Sequence, residues 1–114
     1  MNASTNFATG TAQGAAVAHT YQVGATFELK GSNSLGIIIS RHSSELYGVL
    51  LLNPTDSGAD EYSYSLKHAD ELNIGWNVPP REKLRLKIAS MVIKKPVLGR
   101  DYVILKNGRA SHEQ

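Results

Sequence analysis

The chain has 114 residues, a formal net charge of +2 and no cysteine. That length suits one domain, and the missing cysteines exclude a disulfide framework and any thiolate metal site. No apolar run approaches the ~20 residues of a membrane span, and the N-terminus has neither the early basic residues nor the apolar segment of a signal peptide. A cytoplasmic protein with no membrane association is expected.

The charge is unevenly placed. Residues 1–78 carry three basic and seven acidic side chains, and residues 79–114 carry nine and three. Asymmetry of this kind points to an anionic partner, unless folding mixes the halves into one neutral surface.

Residues 1–20 contain no Lys, Arg, Asp or Glu and have no sustained period, so a flexible tail is expected there. The folded domain is expected to span residues 21–106, with a polar tail at 107–114. From Tyr21 to Leu29 apolar and polar residues alternate, the period of a half-buried strand. "KGSN" supplies a turn, and Leu35–Ile39 is a short β-branched run that reads as a second strand. "HSSE" turns the chain into a third strand, Leu46–Leu52, and "NPTDSGAD" is a loop by composition. "EYSYSLK" alternates again. "HADELNIG" has the length of one or two helical turns closed by Gly75, and Pro79 and Pro80 cannot extend that helix.

"REKLRLKIASMVIKKP" then alternates Leu84, Leu86 and Ile88 with Lys83, Arg85 and Lys87, which predicts a strand over Lys83–Ile93 with a basic face. "DYVILK" closes the series. About six strands with at most one short helix predict a mostly β fold, a small barrel or sandwich.

No nucleotide-binding glycine loop, HExxH or GxSxG pattern is present, and the four histidines lack metal-ligand spacing, so no metal and no cofactor is expected. His68 and Asp70 read as polar residues at a strand–helix junction. Asp56, Asp60 and Glu61 form a loop cluster suited to solvation, with acid–base work or a hard cation as the alternatives.

The basic stretch is the strongest candidate site. On a strand, Lys83, Arg85 and Lys87 would project at a spacing of ~6.6–6.8 Å, close to the about 6–7 Å between phosphates of an extended nucleic acid. Arg81, Lys94, Lys95 and Arg100 extend the charge, and Trp76 and Tyr47, if exposed, would stack bases. The competing readings are a solvated strand face with edge lysines, and direct DNA binding.

Four segments in order carry a family resemblance: "GATFELKG" from Gly24, "SLGIIISR", "GVLLLNPTDS", and "IGWNVPPREKLRLKIASMVIKKPVLGR". Over residues 21–105 this order resembles the MazF/PemK-type toxins of bacterial toxin–antitoxin systems, small SH3-like barrels that cleave single-stranded RNA. The resemblance implies an SH3-like barrel, a homodimer, single-stranded RNA as substrate, an antitoxin or other protein partner, and metal-independent endoribonuclease action. By the same resemblance Arg85 matches a catalytic-pattern arginine and Thr55 a threonine after the third strand. The chain departs from the pattern elsewhere. Ser34-Leu35 replaces an Arg-Pro pair, Pro54 directly precedes Thr55, and Lys87 stands where an acid is usual. Arg85 supplies charge for a phosphorane, but no base for the 2′-hydroxyl accompanies it. A catalytically impaired RNA binder and a non-catalytic protein-interaction module on the same barrel are therefore the alternatives.

Overall fold

A computed structural model describes residues 21–53, 55–56, 58–75 and 77–104, and the backbone of 110–112. The expected tail at 1–20, Trp76 and most of the expected polar tail lie outside the described residues.

The first strand is shorter than its alternation suggests. Gly24 adopts φ +98°, a value that favours glycine, and the Ala25 N–H donates to the Gln22 carbonyl at 3.0 Å. The chain therefore turns before β1, Thr26–Leu29. Gly31 and Asn33, both at positive φ, make the turn into β2, Leu35–Arg41. The Ser43 hydroxyl accepts the N–H groups of Glu45 and Leu46 in the turn to β3, Leu46–Asn53. β4, Asp60–His68, pairs with all of β3, from Leu46↔His68 to Asn53↔Glu61.

The expected helical turns at "HADELNIG" shrink to one 3-10 turn, Ala69–Glu71, in which the Glu71 carboxylate accepts the His68 N–H at 2.9 Å. Leu72–Ile74 then forms β5 against β1. At three residues it is too short to show a strand period, and cross-strand pairing decides it.

The largest correction concerns Lys83–Ile93. This segment is not a strand; it lies in α1, Pro80–Val92, the single α-helix among the described residues. The alternation covers only six residues. Beneath it runs a helical period: Leu86, Ala89 and Ile93 are buried at i, i+3 and i+7. Glu, Lys, Leu, Arg, Ala and Met all favour helix. Pro80 ends anything upstream but begins a helix well, since an N1 residue has no intrahelical partner for its N–H. β6, Asp101–Ile104, pairs with β4, and β7, Ala110–His112, pairs with β6. A short strand thus occupies part of the expected polar tail.

All pairings are antiparallel, in the order β5-β1-β2-β3-β4-β6-β7. The fold is mostly β and barrel-like, as expected, with one helix, although the sheet stays open. Its two faces carry separate cores. Ile37, Leu50, Tyr62, Tyr102 and Ile104 pack under Val78, Leu86, Ala89 and Ile93. Phe27, Ile38, Tyr47, Val49, Ala69 and Leu72 fill the other face. Neighbouring Ile37 and Ile38 serve opposite cores, as the two-residue strand period requires. Gly36 is buried where Phe27 crosses it: a Cβ there would lie 2.5 Å from the Phe27 ring and 2.7 Å from the Leu50 carbonyl oxygen. No described helix is long and apolar enough to cross a membrane.

Candidate nucleic-acid interface

The helix redistributes the basic residues that a strand would have aligned. Arg85 points to one flank of α1. Its guanidinium is salt-bridged to Asp60 on β4 and, at 3.4 Å, to Glu82 one turn earlier. The Tyr62 hydroxyl lies beneath, 3.1 Å from the Arg85 carbonyl oxygen and 3.4 Å from Asp60 Oδ2, and donates to these acceptors. Burial, and then the Asp60 charge, push the Tyr62 phenol well above its usual range, while Arg85 opposes the shift. The Asp60 hydrogen bond in turn raises the Arg85 pKa. Arg85, Asp60, Glu82 and Tyr62 thus fasten α1 to β4, with two carboxylates facing one guanidinium. Asp60, read from sequence as part of a solvated loop cluster, is a member of this clasp. Sequence proximity gave no sign of it, because the partners are 25 positions apart.

Beside the clasp, a cleft of about 320 Å³ lies between the β1–β2 turn, the end of β3 and α1, lined by Asn33, Ser34, Leu52, Asn53, Glu82 and Arg85 among others. Thr55 is exposed in the loop after β3, where its hydroxyl donates to the Ala59 carbonyl at 2.6 Å. Tyr47, considered above for base stacking, is instead fully buried. Its ring lies 5.5 Å from that of Tyr21, and its hydroxyl accepts the Tyr21 N–H and reaches the Ser44 carbonyl.

Lys83 and Lys87 leave the helix on the other flank. Spaced four apart, they share a face and sit about 6 Å apart along the axis. They border an open cleft of about 400 Å³ whose floor is Gly24, Ala25, Thr26, Ile74 and Gly75. Gly24 and Gly75 have nothing within 4 Å of a potential Cβ, so the floor is low there and backbone is accessible. The same stripe continues at Ser90 and, just past the helix, at Lys94. Both line a second cleft of about 400 Å³ with Ile39, Ser40, Tyr64, Ile93 and Pro96. Lys94 and Lys95 are exposed, as is Arg81 in the first helical turn. Sequence reasoning found these cations but missed the groups that form the clefts with them, Gly24, Gly75, Ser40 and Tyr64. Their strands are remote in sequence, and only the helix–sheet packing brings them together.

Among the described residues no three His, Asp or Glu side chains gather as a metal site would require. Comparison with protein-family models, with curated proteins and with solved structures gave no match.

Proposed function

We propose that the protein binds single-stranded RNA along α1, with phosphates meeting Lys83, Lys87 and Lys94. The observation that carries this reading is the lysine stripe bordering two open clefts. Lys83 and Lys87 stand ~6 Å apart along the helix axis, close to the spacing between phosphates, and Lys94 follows about 10 Å further on. Lysine serves such a surface well, because its ammonium is a mobile point charge that tolerates varied phosphate positions. The choice of RNA follows from the MazF/PemK resemblance. Cleavage is the less supported half of that resemblance: Arg85 is already engaged by Asp60 and Glu82, and Thr55 donates to Ala59. Binding without turnover is the reading that fits these partnerships.

The test is a titration of assorted single-stranded RNAs at two or more salt concentrations, with the products run on a gel. The expected result is salt-dependent binding with a slope reduced by about 0.7 for each lysine removed, and intact RNA. Absence of binding by the wild-type chain at low salt overturns the proposal, and RNA fragments that Arg85→Ala abolishes would restore the nuclease reading.

A protein partner is the second reading, and one observation favours it. Leu84 and Met91 stand 61% and 64% exposed on the outward face of α1, beside the lysines. Binding of a protein there would be weakened by Leu84→Ala with Met91→Ala, whereas RNA binding would survive both.

A further inference from the structure

Apart from Lys94, the second cleft is built from parts that phosphodiester binding along the stripe does not use. β2 is irregular at its end: Ile38 pairs with Val49, but the next pair is Ser40 with Gly48. Ile39 is thus the extra residue of a β-bulge. Without the bulge Ser40 would face the opposite side of the sheet, because one residue of slip reverses every side chain. With it, Ile39 and Ser40 both line the cleft under the end of α1. Bulges re-aim side chains in this way beside functional sites.

The partner residue is glycine for a steric reason. A Cβ on Gly48 would collide with the Ser40 hydroxyl and lie 2.5 Å from that of Tyr64. Two hydroxyls therefore converge over one glycine. Ser40 Oγ is 3.2 Å from His42 Nε2. The Tyr64 hydroxyl has no hydrogen-bond partner among the described residues. Lys94 lines the same cleft, while Ile39, Ile93 and Pro96 supply apolar wall. Ser90 contributes little as a donor, since its hydroxyl already donates to the Lys87 carbonyl at 2.7 Å.

We propose that this cleft, formed by Ser40, Tyr64 and Lys94 with His42 behind Ser40, seats a phosphate monoester, the terminal phosphate of the strand bound along α1. The proposal rests on the RNA reading for the identity of the strand. A terminal phosphate presents three acceptor oxygens and up to two negative charges. The cleft offers one cation and two hydroxyl donors against apolar wall, where charge-assisted hydrogen bonds gain strength. His42 acts through Ser40. When its Nε2 carries the proton and donates to Ser40 Oγ, the Ser40 hydrogen is released toward the cleft. An anion there selects that arrangement of the pair. Lys83, Lys87 and Lys94 are spaced by four and seven residues, so a strand laid along them reaches the cleft within roughly 16 Å of helix rise.

The experiment has two arms on the full chain. In the first, inorganic phosphate is titrated while the ring signals of His42 and Tyr64 are followed by NMR. Saturable shifts are expected, lost in Lys94→Ala and weakened in Tyr64→Phe, yet kept in the Lys83→Ala/Lys87→Ala double variant. No saturable shift, or a shift indifferent to Lys94, overturns the proposal. In the second arm, short RNAs with a 5′-phosphate, a 3′-phosphate or hydroxyl ends are compared. One phosphorylated end is expected to bind about tenfold or more tighter, and Lys94→Ala to remove the difference. Equal affinities of all three RNAs reject the terminal-phosphate assignment. Phosphate saturation without RNA binding would uphold the seat for a free phosphate monoester and reject the RNA reading, so the two failures are distinguishable.

Discussion

Arg85 changes meaning once its neighbours are known. On a strand it would be a phosphate ligand whose loss leaves folding untouched. On α1 it holds Asp60 and Glu82 over the Tyr62 hydroxyl. Because the pair is partly exposed, Arg85→Ala is expected to cost up to about 1 kcal/mol, the upper end for surface ion pairs, measurable by urea denaturation. Tyr62→Phe removes the side-chain donor to the Arg85 carbonyl and is expected to cost about 1 kcal/mol as well. Tyr62 also sets a pH signature. Its folded pKa is raised above the unfolded value of about 10. Its contribution is therefore fully present below pH ~10 and lost as the pH climbs beyond it. Tyr21 is raised for the same first cause, burial, so Tyr62→Phe should remove part of the alkaline loss. Denaturation midpoints at pH 9 and pH 11 check this: wild type should fall more than the variant.

At the scale of elements, α1 gives the most decisive contrast. If Lys83–Ile93 were a strand, Leu84 and Leu86 would share one face and cost alike on truncation. In the helix Leu86 is fully buried and Leu84 is exposed. Leu86→Ala is expected to lose about 2–5 kcal/mol and Leu84→Ala less than about 0.5 kcal/mol, both read from thermal or urea unfolding. Most of the sheet was legible in the sequence. β2, β3, β4 and β6 announce themselves by β-branched or alternating residues bounded by turn residues, and "KGSN" and "HSSE" make turns as their chemistry predicts. Four elements were not fully legible, for three reasons. α1 carries two periods at once over Lys83–Ile88, and the longer one shows only when Ala89 and Ile93 are counted with Leu86. β1 is cut short by one glycine at positive φ. β5 and β7 have three residues each, too few to show any period. Site legibility followed the same line: the cations were visible, while the strand groups facing them depend on packing and on a bulge that composition does not signal.

At the scale of the whole molecule, the open antiparallel sheet places one core on each face, and α1 covers one of them with its inner side. That leaves its flank free to carry charge. Gly36 shows how tightly the two faces are coupled. Gly36→Ala would push on both the Phe27 ring and the Leu50 backbone, so it is expected to destabilise by about 1–3 kcal/mol, as overpacking does, with a lowered unfolding midpoint as the readout. The central claim is that the α1 lysine stripe binds RNA phosphates while Arg85 serves the fold. The measurement that tests it most directly is the salt dependence of RNA affinity for wild type, the Lys83→Ala/Lys87→Ala double variant and Arg85→Ala. The account predicts that the double variant retains wild-type stability and loses about 1.4 from the salt slope. It also predicts that Arg85→Ala, assayed where it is still folded, keeps the wild-type slope. An unchanged slope in the double variant, or a slope lost with Arg85 alone, would contradict it.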